Sequence, residues 1–159
     1  MSNRERNLWF WISAWLPVAL GICVIMVEST EYLGADYTSG PLRHAFEYLF
    51  GHLPTEDWDV VHHYIRKSGH FLGYGGIGLA WLRAWWMSLP NSRFLPDAGL
   101  ALLGTATMAS LDEWHQTFLP NRTGTPVDVL LDCCGALSLQ LLVYVFMRVT
   151  QPKRLSHAA

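Results

Sequence analysis

The sequence predicts an all-α membrane protein: a four-helix transmembrane bundle with an extracytoplasmic segment of one or two short helices between its first and second spans. Three observations carry that reading. Of 159 residues, 51% are hydrophobic and only 15% charged, against about 25% charged in average soluble chains. The apolar residues are gathered into four runs, at about 8–27, 68–89, 98–119 and 127–147. Each run is long enough to cross a hydrocarbon core of about 30 Å as a helix of about 20 residues, and together they take about 85 residues. A disordered or collagen-like chain is excluded by the apolar content. A net charge of −2 with scattered Lys and Arg leaves no basic footprint for nucleic acid. The whole chain, 1–159, reads as one membrane domain.

The first run, LWFWISAWLPVALGICVIMV, carries no charge. It exceeds the roughly 7–15 apolar residues of a secretory leader, and no small-x-small cleavage signal follows Val27, so it reads as an uncleaved anchor. Orientation follows from the excess of Lys and Arg on the cytoplasmic side. Arg4, Arg6, Arg83, Arg93, Arg148, Lys153 and Arg154 fall on the N-terminal side, and Arg43, Arg66, Lys67 and Arg122 on the other. A multi-pass protein with both termini in the cytoplasm is expected. Trp9, Trp11, Trp81, Trp85 and Trp86 lie where an interfacial aromatic belt would sit. Cys23, Cys133 and Cys134 lie inside apolar runs as small hydrophobes, with no disulfide expected.

Between the first two runs, 29–66 is the sizeable extramembrane segment. Leu42, Ala45, Phe46, Leu49 and Phe50 follow the spacing of one apolar helix face. Pro41 suits the first turn of that helix and Gly51 its stop. Such a helix is expected to lie on the outer membrane surface. After Pro54, Thr55 is placed to cap a second helix, with Glu56 and Asp57 suited to its dipole. That helix can continue without a break into the second span.

The third run is apolar only over 98–111, about 21 Å of helix and too short to span. To cross, it must continue through Asp112-Glu113-Trp114-His115-Gln116. Burying a carboxyl in a bilayer costs at least about 2.5 kcal/mol, so such residues face an internal cavity or a partner. Asp112, His115 and Gln116 share a face by their i, i+3, i+4 spacing, with Glu113 turned about 100° away. A structural ion pair, or a helix that ends early, is the plainer alternative.

The other runs carry complements at the same depth. His63, Lys67, His70 and Tyr74 form a stripe if the second helix is continuous upstream, although His63 alone reads as an exposed loop residue. Gly69, Gly73 and Gly76 offer a small face for close helix packing. The hairpin after the third run ends with Thr125 as N-cap, Pro126 at the first helical position and Asp128 two residues on, close to a capping box. Capping is therefore one role for Asp128, and Asp132 lies one turn deeper. Arg122 is placed for a forked pair with Asp112, Glu113 or an anionic ligand. These residues imply a polar pocket open to the extracytoplasmic side.

The series Lys67-x-x-His70-Phe71-x-x-Tyr74, then Asp112-Glu113-x-x-Gln116-x-x-x-Pro120-x-Arg122, then Asp128-Val129, then Gly135 resembles the VanZ-like family of small bacterial membrane proteins. The resemblance covers about 67–147, with the first run and outer segment in the family's usual order before it. It departs at Asp132, where the family's Asn is expected, and His115 is not carried over as a family position. The resemblance implies a bacterial cytoplasmic-membrane protein linked to glycopeptide resistance of the teicoplanin type. Its implied partner is a membrane lipid or a lipid-linked cell-wall precursor.

Three kinds of function fit the pocket. A membrane enzyme would use His70, Asp112 and Glu113 as candidate catalytic groups, with Lys67, Tyr74, Gln116, Arg122 and Asp128 binding a lipid head group. Lys67-Ser68-Gly69-His70, and Arg122 followed by Asp128-Val129, are similar in part to segments of lipid phosphatases. A non-catalytic protein would bind or shield a lipid or antibiotic with the same residues. A purely structural role would make the charges an interhelical network. No cofactor and no metal are expected: His70, His115, Asp112, Glu113 and Asp128 offer zinc-ligand types, but no tight His-x-x-x-His or Cys pair is present.

Overall fold

A computed structural model of the chain describes residues 7–120 and 122–150. Among the described residues there are five α-helices, one 3₁₀ turn (Glu31–Leu33) and no strand. The helices are α1 (Leu8–Glu28), α2 (Ala35–Phe50), α3 (Thr55–Ser88), α4 (Phe94–Gln116) and α5 (Pro126–Thr150). The long α3 packs against α1, α4 and α5, and α4 packs against α5.

Three helices, α1, α4 and α5, are long and apolar enough to cross a membrane. The remaining expected run, 68–89, falls on the second half of α3, which is not among the three. Its hydropathy is diluted by Gly69, Gly73, Gly75, Gly76, Gly78, three tryptophans and Arg83. Polar side chains share the interior with an apolar core around Ile25, Tyr74, Ile77 and Ala109. Asp97, Asp112, Glu113, Gln116, Asp132 and Gln140 are buried, while Leu16, Leu20, Val24, Leu137, Leu141 and Val145 face outward. In water that distribution would forfeit the hydrophobic effect, whereas in lipid it places apolar surface against acyl chains.

Asn7 caps α1, its side chain accepting the Phe10 N–H at 3.0 Å. Pro17 inside this helix has no N–H for the Ser13 carbonyl. Arg83 repairs the gap from α3, donating to Ser13 O at 2.6 Å. A basic residue counted toward topology therefore also serves packing. Arg4, Arg6, Lys153 and Arg154, from the same count, lie outside the described residues. Trp81 and Trp85 depart from the expected belt. They stack at 6.4 Å and take Trp15 edge-on, half-buried between α1 and α3, while Trp9 and Trp86 are exposed. All three cysteines are free.

Other boundaries shift. The helix expected from Pro41 begins at Ala35, so Pro41 falls inside α2; its stop at Gly51 holds, with φ +92° that favours glycine. None of α2 is buried, and Leu49 and Phe50 of its apolar face are exposed. Thr55 is the first residue of α3 rather than its cap; Pro54 occupies the cap position, which has no side-chain cap bond. The expected continuity is present, since α3 runs unbroken for 34 residues. α4 begins at Phe94, ahead of the expected 98; Asp97 in its first turn is buried and accepts a bond from the Ser92 hydroxyl. It ends at Gln116, short of 119.

Trp58 of α3 holds α2 in place. It is 1% exposed, lies against Phe46 and donates its indole N–H to Ser39 at 2.8 Å. His62 stacks on Trp58 and lies 3.2 Å from the Thr38 hydroxyl. Because that hydroxyl donates to Gly34 O, the imidazole supplies the N–H between them. Burial, aided by Arg66, holds His62 below the ordinary histidine value. A depressed histidine favours docking while neutral. Docking of α2 is therefore complete above about pH 6.5 and weakens as pH falls, because the undocked state takes the proton first. Hydrogen exchange in α2, corrected for intrinsic rates, is expected to show more frequent opening at about pH 5.5 than at about pH 7.5. His62→Gln should remove the difference, and an unchanged pH response in that variant would refute the assignment.

The α3–α5 seam differs from the expected glycine face. A Cβ at Gly69, Gly73 or Gly76 would meet nothing within 4 Å. The close approach is made on the opposite side by Gly75 and Gly78 of α3 against Gly135 and Ala136 of α5. Helical periodicity rotates successive glycines by about 100°, so a Gly-rich stretch does not by itself say which of its faces is packed.

Candidate functional site

The site forms where α1 and α4 end, α5 begins and α3 passes between them. Each helix brings its polar groups there for a local reason. Thr125 caps α5, its hydroxyl accepting the Asp128 N–H at 3.3 Å. The reciprocal half of a capping box does not form. The Thr125 N–H instead donates to Glu113 Oε2 at 2.8 Å, and Asp128 pairs with Lys67 of α3. Gly124 makes room for this crossing, since a Cβ there would lie 2.0 Å from Glu113 O.

The stripe His63, Lys67, His70 and Tyr74 is present on the unbroken α3. Lys67 reaches Asp128, His70 Nδ1 stands 3.5 Å from Asp132, and the Tyr74 hydroxyl donates to Asp112 at 2.9 Å. From α4, Gln116 donates to the same Asp112 oxygen at 3.1 Å and to Ser29 at the end of α1 at 3.3 Å. Asp112, Glu113 and Gln116 are buried. His115 is exposed and leaves the expected face: the buried face is centred between residues 112, 113 and 116, which turns 115 outward.

Arg122 forms no forked pair with the α4 acids. Its Nη2 donates to Glu28 O at 2.5 Å, a carbonyl at the end of α1, and to Thr30 O at 2.9 Å just beyond it. Its buried Nε has no partner among the described residues. Burial, with Arg66 nearby, pushes this guanidinium below its ordinary value.

These side chains enclose a cavity of about 230 Å³. His63, Lys67, His70, Glu113, Gln116, Arg122 and Asp128 line it together with Arg66, Ala35 and Thr123. Three fixed cations, Arg66, Lys67 and Arg122, stand against two carboxylates. Tyr74 and Asp112 lie behind the wall, bracing it. A second, apolar groove of about 600 Å³, lined by Tyr64, Phe71, Leu72, Val127 and Leu131, opens beside the cavity and shares His63, Lys67 and Asp128 with it. Arg66 and Thr123 belong to the site although the sequence singled out neither; the continuity of α3 and the shortness of the hairpin were their only signals. Asp132 sits at the centre, 0% exposed, with neither oxygen hydrogen-bonded among the described residues. The ligand atoms of His70, Glu113 and Asp132 lie within 4.8 Å of one another.

An all-helical bundle with apolar side chains facing outward around buried ionisable groups is the fold of a membrane-embedded protein. The VanZ/LLP1 family matches residues 10–148, and the protein belongs to that family. No curated protein and no solved structure matches it.

Proposed function

We propose that the chamber receives the anionic head group of a membrane lipid or lipid-linked cell-wall precursor while its tail lies in the neighbouring groove. The observation that carries this reading is the junction at Lys67: a cation-rich cavity and an apolar groove share one rim. At about 230 Å³ the cavity is below the roughly 300–1,000 Å³ of drug-sized sites and suits a small polar group. The two guanidiniums of Arg66 and Arg122 favour an anion between them. In this reading the second half of α3 is the fourth span and both termini face the cytoplasm. The chamber then opens at the outer leaflet of a bacterial cytoplasmic membrane. Lipid-linked precursors, the targets of glycopeptides, are exposed on that face, which connects the family's teicoplanin-type resistance to this chamber.

Short-chain phosphatidic acid is a suitable probe. The purified protein is expected to bind it saturably, and at least about tenfold more tightly than phosphatidylcholine, with Arg122→Ala losing that preference. Equal binding of both lipids by wild type would reject the reading. A second reading, lipid-phosphate hydrolysis, is favoured by one feature: His70 faces the cavity with Asp132 directly behind its ring. A carboxylate in that position orients an imidazole for nucleophilic or acid–base work. It requires phosphate release that His70→Ala abolishes; binding without product at either enzyme form rejects it.

A further inference from the structure

His70, Glu113 and Asp132 come from three different helices, α3, α4 and α5, and offer one imidazole and two carboxylates within 4.8 Å of one another. Clustering alone says little, because acids gather for many reasons. The position of Asp132 adds an independent observation. It is fully buried at the helix junction, and neither oxygen accepts a hydrogen bond from the described residues; its one ion-pair contact among them is His70 Nδ1 at 3.5 Å, itself a member of the cluster. Buried carboxylates are ordinarily paired with donors or bound to a cation. Glu113 is held differently: the Thr125 N–H fixes its Oε2, which leaves the other oxygen free to turn toward His70. Lys67, the nearest fixed cation on α3, is already engaged by Asp128. No described lysine or arginine pairs with Asp132.

The geometry points to a divalent transition-metal site built from His70, Glu113 and Asp132, with Zn²⁺ or Mn²⁺ as the class of ion. One nitrogen and two oxygen ligands suit these borderline-to-hard ions, and two carboxylates balance a double positive charge. Ligands of a common ion held at about 2.0–2.2 Å lie about 3–4 Å apart, so side-chain rotation of about an ångström closes the set. Three protein ligands leave a coordination position for water or an anionic group. His70 and Glu113 line the cavity and Asp132 lies behind them, so that position faces the chamber occupied by Arg122 and Lys67. The Thr125 N–H is an outer-shell donor orienting a ligand carboxylate, as metal sites commonly require. The site stands on its own geometry and does not rest on the lipid reading.

Tag-free protein in detergent, stripped with chelator and titrated calorimetrically with ZnCl₂, MnCl₂ and MgCl₂, is expected to bind about one equivalent of Zn²⁺ or Mn²⁺ more tightly than Mg²⁺. Co²⁺ loading should give visible ligand-field bands. Asp132→Asn and Glu113→Gln should each weaken binding about ten- to a hundredfold. Stripped Asp132→Asn is expected to melt no lower than stripped wild type, because the amide keeps the shape of a buried carboxylate that accepts no hydrogen bond and whose one ionisable contact is His70 Nδ1 at 3.5 Å. That separates ligand loss from misfolding. His115→Asn, exposed and away from the cluster, should titrate as wild type. Wild type that takes up no Zn²⁺ or Mn²⁺, or Asp132→Asn that binds either ion like wild type, overturns the site. Metal binding with no phosphatidic-acid preference would reject the lipid reading alone.

Discussion

Gly135→Ala is expected to lower stability by about 3 kcal/mol or more. A Cβ at this position would lie 2.1 Å from the Phe71 carbonyl oxygen and 2.9 Å from its carbon. Both belong to the α3 backbone, so no side-chain rotation relieves the overlap and the helices must part. For a chain of this length that loss lowers the melting temperature by about 6–12 °C. Gly73→Ala, on α3 and facing open space, is the control. It should melt at or above the wild-type temperature, since alanine is the better helix former by about 1 kcal/mol. Similar melting of Gly135→Ala and wild type in detergent would show that the seam is looser than its geometry states. The consequence reaches the site, because Phe71 follows His70 and Gly135 lies one turn beyond Asp132. Separating this seam also separates the imidazole from its carboxylate.

That coupling also explains what the sequence could and could not show. Run lengths and loop charges made the helices legible, and the failure of 98–111 to reach across a bilayer pointed to Asp112, Glu113 and Gln116 as buried. Spacing also placed Lys67, His70 and Tyr74 on one stripe, because periodicity within a single helix is a local property. Rotation of one helix against another is not local. It depends on which glycines meet a neighbour, and Gly75 and Gly78 do so in place of Gly69, Gly73 and Gly76. The same limit governs Asp132, whose importance appears only when α5 is set against α3. It also governs Arg122, whose bonds go to the carbonyls of Glu28 and Thr30, distant in sequence. Asp128 shows a third kind of limit. A residue with a good local role in capping is taken over by a tertiary partner when a lysine comes within reach.

Lys67→Met and Asp128→Asn are expected to shift anionic-lipid binding in opposite directions, although each breaks the same ion pair. Lys67 sits where the polar cavity meets the apolar groove, so it is placed to touch a head-group phosphate. Removing it deletes one charge-assisted contact, about 1.5–3 kcal/mol, and leaves Asp128 as an uncompensated negative charge at the rim. Phosphatidic-acid affinity should fall by about ten- to a hundredfold. Asp128→Asn does the reverse. It frees the ammonium from its internal competitor and removes the repelling carboxylate, so affinity should hold or rise several-fold. A purely structural ion pair predicts otherwise: both variants would destabilise the fold alike and lose any lipid binding in parallel. The pair is only partly buried, with Lys67 about a third exposed at its side chain, so its rupture is survivable and both variants should remain folded. Equilibrium binding of short-chain phosphatidic acid to wild type and both variants at low salt decides between the two. Parallel losses at matched melting temperatures would remove Lys67 as a lipid anchor and leave it a strut between α3 and α5.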